Sequence, residues 1–253
     1  MAFCELHIYS KYLGMQTTVN VILPQSDTDG EIGVKSNSTN KAYKCLYLLH
    51  GLSDDQTIWH RRTSIERYAT EYGICVVMPC GGRSFYTDMK YGEKYYSYIA
   101  HELPNILRGY FNISDRREDN FIAGNSMGGY GALKIGLREC EHFGAAAGLS
   151  SVADIRRWLE GTNKTYSPIF GDPVEVSPVD DLFLLAEQVS RGSIKPRLYM
   201  GVGTEDFLYE DNLRLKAHLE ALELDFTYRE SAGEHCWAFW DEYIRYVLKW
   251  MLG

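Results

Sequence analysis

The sequence predicts an α/β fold, a mostly parallel central sheet with helices on both faces. Three observations carry that prediction. Short segments such as 74–79 are almost continuously apolar, as strands buried on both faces must be. These segments alternate with stretches of helical character, and each parallel connection requires such a crossover. The chain of 253 residues, 45% hydrophobic and 24% charged, is long enough to bury a substantial core as one domain, 1–253.

Taken in order, 3–10 and 17–23 alternate apolar and polar residues around Gly14, the pattern of an antiparallel hairpin. The segment 30–40, rich in Ser, Asn and Gly, reads as a polar loop. From there strands are expected at 43–49, 74–79, 120–124, 144–150, 197–202 and 225–230. Helices are expected at 64–72, within 95–110, and at 129–137, 212–222 and 237–251. Right-handed crossovers place the carboxyl ends of the parallel strands along one edge, where ligands bind. Segment 152–188 breaks the rhythm with Pro168, Pro173 and Pro178. It is expected to be a small insertion over that edge, either a lid or an inert surface excursion.

Charge and composition exclude several partners. A formal charge of -8 repels a phosphate backbone or an anionic lipid surface, so neither nucleic acid nor a membrane is expected as a partner. Arg61-Arg62 and Arg116-Arg117 are short basic pairs of the kind that sit solvated on a surface. No apolar run reaches the roughly 20 residues of a membrane span. The start, Met1 to His7, lacks a basic stretch followed by an apolar one, so no signal peptide is expected. Six cysteines without CxxC spacing, two of them inside apolar strands, point to reduced thiols in a cytoplasmic protein.

The chemistry is concentrated in Gly124-Asn125-Ser126-Met127-Gly128, a G-x-S-x-G pattern with a strand leading in and a helix leading out. A serine that projects from a strand end occupies a strained turn, and flanking glycines let strand and helix backbones pass closely. Its hydroxyl becomes nucleophilic only when a histidine accepts the proton and a carboxylate orients that histidine. In α/β-hydrolases these follow in the order Ser, Asp or Glu, His. His142, His218 and His235 follow Ser126. His142 comes too early to leave a strand for the acid, and His218 lies within a helix. His235 stands in the loop between the last strand and the last helix, and it is the candidate base. For the acid, the loop after 197–202 offers Asp206, with Glu205 and Asp211 as rivals that periodicity does not separate.

Acyl transfer also needs backbone N–H donors for the developing oxyanion. Met127, next to the nucleophile, supplies one candidate. Leu52, in His50-Gly51-Leu52 after an early strand, supplies the other, and His50 reads as a brace for that loop. Phe85, Tyr86, Tyr91, Tyr95 and Tyr96 concentrate aromatic area in one stretch, as a stacking wall or as core.

The segments Leu48-Leu49-His50-Gly51-Leu52-Ser53-Asp54-Asp55, Ser126-Met127-Gly128-Gly129-Tyr130-Gly131-Ala132 and Gly203-Thr204-Glu205-Asp206-Phe207, with His235, resemble the esterase D group, which includes tributyrin-type esterases. The resemblance runs from the first hairpin to the last helix. It implies the α/β-hydrolase fold, a triad of Ser126, Asp206 and His235, and oxyanion donors Leu52 and Met127. It also implies hydrolysis of short acyl esters, acetyl to butyryl, with acetylated or feruloylated carbohydrate as a further class. No cofactor or metal is implied, the expected partner is a small-molecule ester, and self-association as a homo-oligomer is compatible with the group. S-formylglutathione hydrolases usually have a Gly-Leu-Thr-Cys run where this chain has Gly51-Leu52-Ser53-Asp54, a departure from the thioesterase pattern. Acyl transfer to an alcohol acceptor is the competing reaction, and a non-catalytic binding protein on the same fold is the alternative of another class.

Overall fold

The computed structural model describes residues 1–25, 32, 42–161 and 163–253. The predicted polar loop 30–40 therefore lies, apart from Ile32, outside the described residues. The chain opens with β1 (Ala2–Ser10) and β2 (Met15–Leu23), the antiparallel hairpin expected around Gly14. After β3 (Cys45–Leu49), α1 (Ile58–Arg62) and α2 (Ile65–Tyr72) lead to β4 (Cys75–Pro79). Next come α3 (Tyr95–Ser97), a π-helical turn (Tyr98–Glu102) and α4 (Leu103–Tyr110), which together fill the expected helix.

The functional half follows: β5 (Asn120–Asn125), α5 (Met127–Arg138) and β6 (Ala145–Leu149). The insertion folds into α6 (Ile155–Trp158), α7 (Asn163–Phe170), a 3-10 turn (Pro178–Asp180) and the start of α8 (Leu182–Ser190). The chain ends with β7 (Arg197–Gly203), α9 (Tyr209–Ala221), β8 (Phe226–Ser231) and α10 (Trp237–Leu252). These form one eight-stranded sheet in the order β1-β2-β4-β3-β5-β6-β7-β8. The strands from β4 to β8 are all parallel, and β2 joins β4 antiparallel.

Burial explains the pattern. Every residue of β3, β4, β5 and β6 is buried, as expected of strands covered on both faces. One core layer sets Trp59, Tyr68, Trp240, Tyr243 and Val247, from α1, α2 and α10, against one face of the sheet. The other layer holds side chains from α4, α5, α8 and α9. In α10, Phe239, Trp240, Tyr243, Ile244, Val247, Leu248 and Met251 recur at helical spacing and are all buried. Each such side chain contributes roughly 1.5–3 kcal/mol on burial.

Several elements differ from the sequence expectation. Helix α5 begins at Met127, two residues before 129, because Gly128 and Gly129 are helical here, a conformation that their composition disfavours. Helix α9 begins at Tyr209 and not at 212. Helices α1 and α8 are additional; α1 is only five residues long with no side-chain cap, and α8 follows a Pro- and Asp-rich stretch. Among the described residues, no helix is long and apolar enough to cross a membrane, and all six cysteines are free thiols.

Candidate active site

The sheet delivers Ser126 at the carboxyl end of β5, between β3 and β6. Its backbone has φ 56° and ψ -120°, a region that L side chains rarely adopt. The turn is pinned from both sides. The Ser126 N–H donates to the Leu149 carbonyl at 2.8 Å, and the Ser126 carbonyl accepts from the Tyr130 N–H at 3.1 Å. The glycines of the pattern are dictated by crowding. A Cβ on Gly124 would stand 2.4 Å from the Gly128 carbonyl oxygen, and one on Gly128 would stand 2.4 Å from that of Leu49.

His235 reaches the same point from the loop after β8. Its Nε2 lies 3.0 Å from Ser126 Oγ, and its Nδ1 lies 3.0 and 2.9 Å from the two carboxylate oxygens of Asp206. The ring is held edge-on to Trp240, with centroids 4.9 Å apart, and packs against Phe207 at 4.5 Å. Asp206 sits in the turn after β7 and accepts the Leu208 N–H at 2.8 Å. Burial alone would raise the Asp206 pKa. The hydrogen bonds from His235 and the Leu208 N–H, the facing imidazole and the Ser150 hydroxyl outweigh burial and lower it. The carboxylate is thus ionised where the imidazole must be oriented.

The rivals for the acid face elsewhere. Glu205 accepts from the Gly233 N–H and the Thr204 hydroxyl. Asp211 pairs with Arg214 and Arg157. The other candidate histidines are likewise engaged: His142 is exposed beside Glu139, and His218 meets the Phe183 carbonyl at 3.1 Å.

The loop carrying Leu52 passes close to the serine, since a Cβ on Gly51 would stand 3.7 Å from Ser126 Cβ. His50 braces this loop as expected. Its buried Nε2 accepts the Gly81 N–H at 2.8 Å, so Nδ1 carries the proton that it donates to the Gly51 carbonyl at 2.7 Å. Burial pushes the His50 pKa down, which keeps that neutral tautomer. The Tyr86 hydroxyl fixes the His50 carbonyl at 2.9 Å, and the Trp59 indole fixes that of Leu49, also at 2.9 Å. Met127 begins α5, where helix geometry leaves its N–H without an intrahelical acceptor.

Ser126, His235, Leu52 and Met127 all line one cavity of about 480 Å³ at the strand ends. Its walls are aromatic, with Phe85, Trp158, Phe207, Trp237 and Trp240, while Arg83 and Asp54 add charge. Of the aromatic stretch noted in the sequence, only Phe85 lines this cavity. Tyr86 is buried behind it, and Tyr91 is exposed elsewhere. The insertion supplies Val152 and Trp158 to the wall, and Tyr166 and Phe170 back Phe85 with centroids 5.5 and 6.1 Å away.

The sequence reading missed Ser150 and Trp240. Ser150, buried with φ 46°, hydrogen-bonds Asp206 and accepts the Trp240 indole N–H at 3.0 Å. The signal available was position: Ser150 follows a small-residue strand directly, at the edge where the other site residues lie.

Known proteins are similar to this chain over nearly its whole length. The Esterase family model matches residues 10–248. An acetyl esterase of Caldicellulosiruptor saccharolyticus is 34% identical, covering 99% of this chain and 98% of that protein. Two solved structures from Staphylococcus aureus are each 36% identical. The substrate-bound fluorophosphonate-binding serine hydrolase FphF has a TM-score of 0.89, covering 100% of this chain and 98% of that one. The S-formylglutathione hydrolase FrmB has a TM-score of 0.86, covering 100% and 99%. With a match that spans nearly the whole sequence and a fold shared with serine hydrolases, the chain belongs to the Esterase family and is an esterase D-like serine carboxylesterase of the α/β-hydrolase fold.

Proposed function

We propose that the protein hydrolyses short-chain acyl esters, acetyl to butyryl, through an acyl-serine intermediate at Ser126. The observation that carries this reading is the hydrogen-bonded line from Ser126 through His235 to Asp206, opening on a cavity of about 480 Å³. Ser126 Oγ attacks the ester carbonyl carbon while His235 Nε2 takes its proton. The carbonyl π electrons move onto oxygen, and the Leu52 and Met127 N–H groups hold that oxyanion. Collapse expels the alkoxide, which receives the proton from His235 and leaves as the alcohol. Water then gives a proton to His235 and attacks the acyl carbon, and the reverse steps release the carboxylic acid and free Ser126. Asp206 stays ionised and holds the imidazole in the required tautomer.

This sequence of steps uses no cofactor. The six free thiols suit a reducing compartment, and we assign the protein to the cytoplasm on that basis. Acetyl esters head the substrate list because a relative of this similarity is an acetyl esterase. A second reading, thioester hydrolysis, is favoured by the likeness to FrmB, although Ser53 and Asp54 stand where the thioesterase pattern has Thr and Cys.

The test pairs labelling with a substrate panel. A fluorophosphonate is expected to label one serine, on the peptide containing Ser126. p-Nitrophenyl acetate and butyrate are expected to turn over faster than the octanoate, and faster than S-formylglutathione. Labelling of a different serine would overturn the assignment of the nucleophile. A preference for the thioester would establish the second reading, and ester products formed from added alcohol would establish acyl transfer.

A further inference from the structure

The reaction fixes which side of the active site each half of an ester occupies. The departing alkoxide takes its proton from His235 Nε2, so the alcohol half lies on the histidine side of Ser126 and the acyl half away from it. The sheet order divides the cavity along the same line. The loops after β3 and β4 bring Asp54 and Arg83 to one side of β5, while Phe207 follows β7, and His235 and Trp237 follow β8, on the other. Among the described residues that line the cavity, the carboxylate and the guanidinium therefore stand on one side, and rings wall the alcohol side.

Phe207 is the ring placed to meet the alcohol. It packs against the catalytic imidazole with centroids 4.5 Å apart and planes tilted by 46°, and Trp158 continues the wall at 6.5 Å. Trp240 also touches the imidazole, but it is 5% exposed and its indole N–H is bound to Ser150, whereas Phe207 is 66% exposed. The backbone on either side of Phe207 is held. The Asp206 N–H donates to the Gly203 carbonyl at 3.1 Å, the Leu208 N–H to the Asp206 carboxylate at 2.8 Å, and the Tyr209 N–H to the Asp206 carbonyl at 2.9 Å. A phenyl ring held in water beside the base is a preorganised face, and a second ring laid on it gains more than the covered area alone supplies.

We propose that Phe207 is the specificity-determining residue of the alcohol side, and that the preferred leaving group is an alcohol carrying an aromatic ring, which stacks on Phe207 as it departs. This rests on the ester hydrolysis proposed above. A pyranose would bring several hydroxyls to the side that lacks the charged partners, where hydroxyls taken from water go unpaired.

Three acetyl esters of primary alcohols test this: benzyl acetate, cyclohexylmethyl acetate and methyl 6-O-acetyl-glucopyranoside. All three form the same acetyl-enzyme, so kcat/KM compares their alcohol halves alone. Benzyl acetate is expected to lead cyclohexylmethyl acetate about fivefold and the glucopyranoside by more. In Phe207→Ala the ratio of benzyl to cyclohexylmethyl ester should fall to about one, and in Phe207→Tyr it should persist. The exposed position lets both variants fold, with circular dichroism as the control. If Phe207 served only to hold His235, all three esters would slow together and the ratio would stay, which would overturn the proposal. A ratio near one in the parent protein, or a preference for the glucopyranoside, would also overturn it while leaving ester hydrolysis standing. Hydrolysis of none of the three would remove the ester reading and this proposal with it.

Discussion

Replacing Ser126 with alanine is expected to reduce kcat for p-nitrophenyl acetate by about 10⁴-fold or more, with the fold intact. The size of the loss follows from how the groups act. Without Oγ there is no nucleophile for His235 to activate, and members of such a unit fail together, not additively. What remains is the oxyanion site and substrate binding, which elsewhere leave 10³–10⁴-fold catalysis over water as an order of magnitude. The fold should survive because alanine removes only a hydroxyl whose partner in this structure is the half-buried His235. The strained φ of 56° is set by backbone bonds to Leu149 and Tyr130, which do not involve the side chain. Steady-state rates with circular dichroism as a folding control would check the result. A variant that kept wild-type turnover would remove Ser126 from the mechanism.

The second large effect is on stability, and its origin is Lys134. This side chain on α5 is fully buried and donates to Asp180 at 3.0 Å, to Thr87 Oγ1 at 2.6 Å and to the Phe85 carbonyl at 3.0 Å. It thereby joins the nucleophile helix, the cavity wall at Phe85 and the base of the insertion. Burial pushes its pKa down to about 8 despite the attraction of Asp180. Desolvation thus rivals attraction, and the intact pair is near break-even while a half pair is not. Lys134→Met leaves Asp180 buried without its cation, which is expected to cost about 3–5 kcal/mol. For a chain of this length that corresponds to a fall in Tm on the order of 10 °C. Lys134→Met combined with Asp180→Leu should recover most of the loss, because no uncompensated charge remains. Thermal melts of the two variants decide the matter: equal Tm values, or a single variant as stable as the parent, would contradict this account.

How much of this could be read from the sequence depended on whether a single local requirement fixed the residue. Gly124 and Gly128 were legible because a backbone oxygen would stand 2.4 Å from a Cβ at either position, leaving glycine as the residue that fits. His235 was legible by position, after the last strand and before the last helix. Asp206 is the acid that the family resemblance implies, but periodicity alone does not separate it from Glu205, its neighbour in one turn. What separates them is that Glu205 bonds the Gly233 N–H across the loop, a tertiary fact. The insertion was recognised by its prolines, but its packing was not. Lys134 and Asp180 look like surface charges on a helix and a turn, and only their mutual burial reveals that they join three parts of the molecule. Position places Ser150 at the site edge, but its role is hidden in the sequence, as its partners Asp206 and Trp240 lie far along the chain.

The two halves of the reacting pair are mounted on supports of unequal stiffness. Ser126 stands on β5, a central strand bonded on both sides and buried throughout. His235 hangs from the loop after β8, the rim of the sheet, which is bonded on one side only and mostly exposed. Rim segments open at lower free energy than interior ones. The 3.0 Å contact between them therefore rests on the imidazole's support, and warming is expected to part it before the sheet comes apart, so that activity is lost below the Tm read by circular dichroism.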